Sequence, residues 1–248
     1  MKLISWNCQG AFRKKADIVL IHRPDILLIQ ECEHPDKLKF GEATPKPQDI
    51  YWHSDGGKKG LGLFSYSDFK FELLPNFNPE FRYILPFRVT SNEMTFAFFA
   101  IWAMNNKEKR EARYIGQIWF AINFYKDLLG NSTILMGDFN SNKIWDYKDR
   151  VGSHSDVVNQ LINKDIQSVY HKHFDEEQGK ETHPTFFLQK NKDKPYHIDY
   201  CFASSDILNK VINVEVGTYD KWIKYSDHVP LIVEFDPSLA VSRFGLRN

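Results

Sequence analysis

Amide, carboxylate and imidazole side chains stand at the ends of apolar, strand-like runs at several places in the sequence. These residues are Asn7, Glu31, Asp138 with Asn140, Asp199, and Asp227 with His228. If packed strands bring these ends together, carboxylates converge beside a histidine and repel one another unless they share a cation. An oxygen-rich set without suitably spaced cysteines favours Mg²⁺ or Mn²⁺ over Zn²⁺. The sequence therefore predicts a divalent-metal site.

A histidine beside a buried aspartate is a candidate for proton transfer or charge neutralisation. The carboxylate fixes the tautomer of the imidazole and stabilises its charged form, and Asp199 with His228 is the candidate pair. Side chains two positions apart on a strand share a face, so His197 should point the same way as Asp199 in "HIDYCFA". His197 is therefore a candidate site residue, and a structural histidine is an equally good interpretation.

Each polar position also has an ordinary structural explanation. A single strand-end carboxylate is more often a cap or part of a solvated turn, and "GDFN" or "SDH" alone would fit that description. Their joint occurrence with "NCQG" and "QE" in a strand-rich chain favours one shared site.

The elements that must position these residues are mainly strands. Apolar, β-rich runs predict nine strands, at 2–6, 25–30, 61–66, 83–89, 95–102, 132–137, 197–203, 212–216 and 229–235. Helical spacing predicts helices at 111–129 before Gly130, at 153–164 with Ser153 and Asp156 as a capping pair, and at 15–22. Many strands with a few interspersed helices imply two packed sheets with helices on the outer faces.

The composition is that of a globular protein with one large domain. Across 248 residues, 32 Lys plus Arg balance 32 Asp plus Glu, so no global field favours a polyanion or a membrane surface. Three cysteines suit buried apolar positions in a reducing compartment. We find no signal-peptide or membrane-spanning run and no evident obligate protein partner. The prediction is a cytoplasmic protein with a catalytic domain at 1–236 and a tail at 237–248.

Five motifs, in order along the chain, resemble those of the endonuclease/exonuclease/phosphatase superfamily of metal-dependent phosphoesterases. They are "ISWNCQG", "RPDILLIQE", "ILMGDFN", "HIDYCFAS" and "YSDHVPLIVEF", and together they span residues 2 to about 235. The resemblance implies an α+β fold, a four-layered α/β sandwich with two mainly antiparallel sheets face to face and helices outside. It also implies Glu31 as the main Mg²⁺ ligand, helped by Asn7 and Asp227.

The same resemblance implies catalytic roles for the other polar residues. Asp138 would position or deprotonate the attacking water, and Asn140 would hold the scissile phosphate. His228, oriented by Asp199, would contact a phosphate oxygen and stabilise the charge of the transition state.

Three further positions concern the substrate. Trp102 stands where nuclease members often carry tyrosine or histidine, so a polar phosphate contact is missing there. Asn105 matches a substrate-contacting asparagine, and His197 stands where several nucleases have arginine. The segment "PYHIDYCF" differs from the inositol-polyphosphate phosphatases, and a secreted sphingomyelinase would need an export signal. The resemblance therefore favours a nuclease-like phosphodiesterase.

The leading hypothesis is a nuclease that hydrolyses DNA or RNA by in-line attack of activated water. Basic residues at 13–15 and 58–59 and at Lys190, Lys192 and Lys194 could hold a phosphate backbone, and the aromatic residues Trp145, Phe186 and Phe187 could stack on bases. Solvated lysines and core aromatics are the alternative interpretation. The neutral net charge and Trp102 keep open a phosphatase of small molecules. A catalytically silent binding module is a third hypothesis, against which the complete set of polar residues argues.

Overall fold

The computed structural model describes residues 1–41, 44–147 and 150–236. Its strands are β1 Lys2–Asn7, β2 Ile26–Cys32, β3 Asp49–His53, β4 Gly60–Ser65, β5 Lys70–Leu73, β6 Ile84–Thr90, β7 Thr95–Trp102, β8 Thr133–Asp138, β9 Ile166–Ser168, β10 Phe186–Phe187, β11 Pro195–Tyr196, β12 Asp199–Ser204, β13 Val211–Val216 and β14 Leu231–Phe235. Its α-helices are α1 Ala16–Leu20, α2 Ile115–Phe124, α3 His154–Ile162, α4 Val169–Phe174, α5 Ser205–Leu208 and α6 Tyr219–Trp222. Short 3₁₀ turns cover Phe12–Lys14, Pro35–Lys37, Pro79–Phe81, Arg110–Ala112, Lys143–Trp145 and Leu188–Lys190.

The strands form two six-stranded sheets and a two-stranded ribbon. The first sheet has the order β13-β14-β1-β2-β4-β3, the second has the order β5-β6-β7-β8-β12-β9, and β10 pairs with β11. The β1–β2 and β7–β8 pairs are parallel, and the remaining pairs within the two sheets are antiparallel. Each of the nine predicted strands corresponds to one of these elements, namely β1, β2, β4, β6, β7, β8, β12, β13 and β14.

The alternation of side chains along β7 shows how the layers stack. Phe96 and Phe98 belong to the core between the two sheets, whereas Phe99 and Ile101 pack in the cluster that includes α2 and α3. Successive strand side chains point to opposite faces, so one strand contributes to both cores. A third cluster places α1 and α6 against the outer face of the first sheet. The order helix, sheet, sheet, helix confirms the predicted four-layered sandwich.

The longest helix is shorter than its sequence pattern predicted. α2 begins at Ile115 and its C-terminal cap is Tyr125, so the predicted extent of 111–129 and the stop at Gly130 were wrong. Tyr125 is buried, and its hydroxyl accepts the Asn78 N–H at 2.8 Å. Leu129 lies beyond the end of α2 but is buried in the same hydrophobic cluster as Tyr125, so it continues the apolar spacing without being helical. Apolar spacing alone therefore overestimated the helix.

The second predicted helix is close to its expected bounds. α3 begins after Ser153, whose hydroxyl accepts the Asp156 N–H, while Asp156 accepts the Ser153 N–H. This reciprocal capping box satisfies two of the free donors at the start of the helix. It confirms the capping pair predicted from the sequence.

Three remaining predictions concern the cysteines, the membrane and the tail. Cys8, Cys32 and Cys201 are buried and unpaired, as predicted. Among the described residues no helix has the length and apolar character needed to cross a membrane. The predicted tail at 237–248 lies outside the described residues.

Candidate active site

The site begins where two sheets meet at the ends of their strands. Asn7 is the last residue of β1, Asp138 is the last of β8 and Asp199 is the first of β12. The antiparallel register places Asp138 opposite Asp199. Asn7 Nδ2 donates to Asp138 Oδ2 at 3.0 Å. Because β1 and β8 belong to different sheets, this hydrogen bond crosses from one sheet to the other.

His228 lies between the two aspartates. Its Nδ1 is 2.9 Å from Asp199 Oδ2, and its Nε2 is 3.9 Å from Asp138 Oδ2. All three side chains are buried. The backbone of His228 is held as well, because its carbonyl accepts Trp6 Nε1–H at 3.0 Å and its N–H donates to Ser226 Oγ at 3.1 Å. The predicted pair of Asp199 and His228 is therefore in direct contact, with a second carboxyl group on the opposite side of the ring.

Burial of these ionisable groups shifts two pKa values in directions that suit proton handling. Burial and, second to it, the neighbouring Asp199 carboxylate raise the pKa of Asp138 to about 7, against the lowering effects of His228 and of the donors Asn7 and Asn140. Burial alone would lower the pKa of His228, but the carboxylates of Asp199 and Asp138 outweigh that effect and raise this pKa to about 9. At neutral pH the group thus contains an imidazolium beside a carboxyl group that titrates near neutrality.

Asn140 fixes the orientation of the Asp138 carboxylate. The Asn140 N–H donates to Asp138 Oδ1 at 2.8 Å and its Nδ2 donates to Asp138 Oδ2 at 3.1 Å. Its Nδ2 also donates to Ala103 O at 3.0 Å, so both amide hydrogens are engaged. Asn140 has a φ of 48°, a left-handed conformation that asparagine tolerates better than most residues. The contacts of Asn140 are those of a residue that positions Asp138.

Glu31 occupies an irregular position near the end of β2. Its φ is 57°, and the register with β4 shifts between Ile29 and Cys32, which marks a β-bulge. Left-handed backbone in a non-glycine residue is often found at functional sites. Glu31 follows the register partner of Asn7 on the neighbouring strand. Its Oε2 lies 2.5 Å from Lys59 Nζ.

Asp227 lies beside the same end of β1. Ser226 Oγ donates to Asn7 O at 2.7 Å and lies 3.4 Å from Asp227 Oδ1. The carbonyl of Asp227 accepts the Phe187 N–H at 2.8 Å, which attaches the β10–β11 ribbon to this loop. Asp227 is partly exposed, so its carboxylate is accessible from solvent.

Two predicted substrate residues differ in their accessibility. Trp102 is only 8% exposed, and its ring lies 4.7 Å from the ring of Tyr83 between centroids. Trp102 is also the register partner of Asp138 on the neighbouring strand. Asn105 is exposed in the loop after β7.

His197 precedes β12 and is buried among aromatic rings. Its Nδ1–H donates to His183 O at 2.7 Å, and its ring lies 4.4 Å from Tyr170 and 4.9 Å from Tyr200. Burial lowers the pKa of His197 to about 4, so the ring is neutral at physiological pH. These contacts match the structural interpretation of His197, because β12 begins only at Asp199 and the expected shared strand face does not extend to position 197.

Thr185 is a site residue that the sequence reasoning missed. Its side chain is buried, and its Oγ1 accepts the N–H groups of Ile198 and Asp199, each at 3.0 Å. Its carbonyl accepts the Val229 N–H at 2.8 Å. One threonine therefore connects the segment that carries Asp199 with the segment that carries His228. A lone threonine before two phenylalanines gives no sequence signal for this role.

Comparison with known proteins assigns the chain to a family. The sequence pattern of the Endonuclease/Exonuclease/phosphatase family matches residues 4–228. The chain belongs to this family. Members of the family are hydrolases of phosphoester bonds that depend on divalent metals, and this chain is accordingly a metal-dependent phosphoester hydrolase.

Several solved structures share the fold. A 3′ phosphatase, NExo from Neisseria, bound to a product DNA hairpin, is 20% identical with a TM-score of 0.65, and the match covers 95% of this chain and 99% of that one. An AP endonuclease from Archaeoglobus fulgidus is 18% identical with a TM-score of 0.66, covering 95% and 99%. An AP endonuclease from Leishmania major is 12% identical with a TM-score of 0.68, covering 95% and 87%. No curated protein sequence matches the chain.

The carboxylates of the site provide oxygen donors that suit a divalent cation. Asp138, Asp199 and His228 offer ligand atoms that all lie within 4.8 Å of one another. Asp199 Oδ1 is buried and has no hydrogen-bond partner among the described residues. An unsatisfied buried carboxylate oxygen is costly unless a cation or donor approaches it. The predicted metal ligands Glu31 and Asp227 lie outside this close group.

Proposed function

We propose that this hydrolase is a nuclease that cleaves DNA or RNA phosphodiester bonds by in-line attack of activated water. The observation that carries the proposal is the buried group of Asp138, His228 and Asp199, in which an imidazolium lies between two carboxyl groups. Such a group can both accept a proton and meet negative charge on a phosphate. We further propose that residues 1–236 form the catalytic domain and that the protein is cytoplasmic, the latter supported by its free cysteines.

Asp138 is proposed as the residue that positions and deprotonates the attacking water. A general base is most effective when its pKa lies near the working pH, and burial raises the pKa of Asp138 to about 7. The donors Asn7 and Asn140 hold the carboxylate in one orientation. Asn140 can reach a scissile phosphate only by giving up one of its two amide bonds, to Asp138 or to Ala103.

His228 is proposed to donate to a non-bridging phosphate oxygen through Nε2. Its Nδ1–H is engaged by Asp199 at 2.9 Å, which orients the ring and stabilises the imidazolium. The 3.9 Å between Nε2 and Asp138 Oδ2 is too long for a hydrogen bond, so the Nε2–H remains available to a substrate oxygen.

Asn7, Glu31 and Asp227 are proposed to hold the metal ion, Mg²⁺ or Mn²⁺. Asn7 Oδ1 accepts one hydrogen bond, from the Gln9 N–H at 3.1 Å, so a second lone pair is available to a ligand. The bound ion would act as a Lewis acid on the phosphate and orient it for in-line displacement. Oxygen ligands of this kind suit both ions.

A row of aromatic rings, half-buried at Phe186 and Tyr196 and exposed at Trp145, leads away from the site and supports a nucleic-acid substrate. The ring of His228 lies 4.6 Å from Phe186, which lies 6.4 Å from Tyr196, which in turn lies 5.0 Å from Trp145, all measured between centroids. Trp145 is 42% exposed. Aromatic surfaces leading away from a reactive centre can stack on successive bases. Phe187 packs instead on Tyr219 and is buried.

Lysines from three separate segments contribute positive charge near the site. Burial lowers the pKa of Lys15 most, and the charges of Lys190 and Lys59 lower it as well. Lys15 is anchored by donation to Cys8 O at 2.6 Å. A local positive rim of this kind can hold a phosphate backbone even though the net charge of the chain is zero.

The proposal is tested by a cleavage screen of the purified chain. Single- and double-stranded DNA and RNA are incubated with Mg²⁺ or Mn²⁺, and the product ends are mapped to separate endonuclease from exonuclease action. Cleavage that is abolished by chelator, and reduced several orders of magnitude by His228→Ala, is expected. Intact substrates under all conditions would refute the nuclease proposal.

A phosphatase acting on small phosphorylated molecules is the second candidate. The net charge is zero. Trp102, the register partner of Asp138, presents a buried ring that offers no hydroxyl or imidazole contact to a phosphate. Release of free phosphate from monoesters, with oligonucleotides left intact, would favour this candidate.

A further inference from the structure

We propose that Lys59 competes with the divalent cation for the carboxylate of Glu31 and thereby sets the affinity of the site for metal. The inference rests on the proposed role of Glu31 as a metal ligand. It concerns a residue whose side chain is itself a cation, in contact with the oxygen that the metal would take. The result would be a metal site whose affinity is tuned by a competing side chain.

The contact between Lys59 and Glu31 joins the loop before β4 to the end of β2. Lys59 stands directly before β4 and places its Nζ 2.5 Å from Glu31 Oε2. Its stem crosses Gly10, where an added Cβ would lie 2.9 Å from Lys59 Cε and 3.2 Å from Nζ. Gly10 also has a φ of 78°. The absence of a side chain at Gly10 therefore leaves space for the Lys59 side chain to reach Glu31.

Lys59 is the more exposed partner of this ion pair. The backbone of Glu31 lies in a β-bulge with left-handed conformation within β2, whereas Lys59 stands before β4. The side chain of Lys59 is 48% exposed, against 23% for Glu31. A lysine stem has four rotatable bonds and a strongly hydrated head. When a second cation approaches the carboxylate, Lys59 is the partner that leaves.

Electrostatic repulsion makes the two cations exclude each other. A divalent ion on Glu31 and an ammonium on the same carboxylate would lie within a few ångströms, where like charges repel strongly even near a protein surface. Metal binding must therefore break the ion pair of Lys59. The free energy needed to break that ion pair therefore weakens the binding of the metal ion.

Calorimetric titration of Mg²⁺ into the chelator-treated full chain tests the inference. Lys59→Gln should bind Mg²⁺ about fivefold more tightly, the factor that corresponds to an exposed ion pair of about 1 kcal/mol. Lys58→Gln is the matched control, because Lys58 is the adjacent exposed residue of the same charge, and it should stay within about twofold of the parent. Lys59→Arg keeps the ion pair and should not tighten binding.

The outcomes separate the inference from the proposal on which it rests. Equal Mg²⁺ affinities for Lys59→Gln and Lys58→Gln would overturn the competition while leaving the metal site intact. If neither the parent nor any variant binds Mg²⁺ or Mn²⁺, the proposed metal site itself is refuted, and the inference with it. Tighter binding by Lys59→Gln that disappears in a Glu31→Gln background would support direct competition, because the two effects are then coupled.

Nuclear magnetic resonance of lysine ammonium groups gives a readout independent of affinity. An ion-paired Nζ exchanges its protons slowly enough to be observed, and the Lys59 signal is assigned by its absence in Lys59→Gln. We expect this signal to shift or vanish as Mg²⁺ saturates the site, and to be missing from Glu31→Gln before any metal is added. A Lys59 signal that is unchanged at saturation would overturn the inference.

Discussion

Replacing Asp199 with asparagine should reduce the loss of unfolding free energy that the parent protein shows as the pH rises above 7. The carboxylates of Asp199 and Asp138 together outweigh burial and raise the pKa of His228 to about 9. Asparagine can still accept the Nδ1–H through its carbonyl oxygen, so the substitution removes the charge and keeps the hydrogen bond. With one carboxylate gone, burial regains weight and the pKa of His228 falls.

The magnitude follows from the difference between the folded and unfolded pKa values. In the unfolded chain His228 titrates near 6.5, and in the folded protein near 9. The imidazolium therefore contributes stability that is complete below pH 6.5 and is lost as the pH rises through 9. Between pH 7 and about 8.5 the parent should lose roughly 1.5 to 2 kcal/mol of unfolding free energy.

Other titratable groups contribute little to the change in unfolding free energy within this pH range. Asp138 titrates mainly below it, because its folded pKa is about 7. The buried thiols, of which Cys8 has its pKa raised to about 12 by burial, contribute mainly above it, because unfolded thiols ionise near 9. His154 and His197, whose pKa values are lowered by burial, are neutral in the folded protein, and in the unfolded chain they lose their remaining charge near the lower limit of this range, so their contribution is small and of opposite sign.

Urea unfolding at several pH values, with chelator and reductant present, measures the effect. The parent and a control, Asp127→Asn in the exposed turn after α2, should show the full decline. Asp199→Asn should show less than about 0.5 kcal/mol of change over the same range. A decline of equal size in Asp199→Asn, or none in the parent, would refute the assigned electrostatics of the group.

Three other substitutions have expected outcomes. Gly137→Ala should destabilise the fold by about 3 kcal/mol or more in urea unfolding, because its Cβ would lie 1.9 Å from Ile101 O; an unchanged midpoint would contradict the close approach of β7 and β8. Thr185→Val should cost about 1 to 3 kcal/mol and reduce kcat, since two backbone N–H groups lose their acceptor, whereas Thr185→Ser should restore both; equal behaviour of the two variants would argue against the role of the hydroxyl. Trp145→Ala should weaken binding of single-stranded oligonucleotides by about 1 to 3 kcal/mol without changing stability, and an unaltered Kd would remove the stacking proposal.

The strands were predictable where side-chain burial follows a simple pattern. The run at β7 is apolar on both faces because one face meets the opposite sheet and the other meets helices. β3, in contrast, is only partly buried, and β10 and β11 have two residues each. Such elements are defined by their partners in space, and their own residues give no period to detect.

The site was predictable as far as strand ends determine it. Asn7, Asp138 and Asp199 are terminal residues of three strands, so the pairing of those strands brings them together. Contacts between loops were not predictable in the same way. The sequence suggested that Lys59 binds substrate phosphate, but its contact in the structure is Glu31, and that depends on how the glycine-rich loop folds over Gly10.

The hydrogen bonds that define the reactive centre also connect the two halves of the sandwich. The hydrogen bond from Asn7 to Asp138 connects the first sheet to the second. The hydrogen bond between His228 and Asp199 connects the segment before β14, in the first sheet, to β12 in the second. Thermal separation of the sheets at this end would dismantle the catalytic geometry before the rest of the protein unfolds. Heat inactivation should therefore precede loss of secondary structure, and a substrate or product that bridges both sheets should raise the temperature at which either occurs.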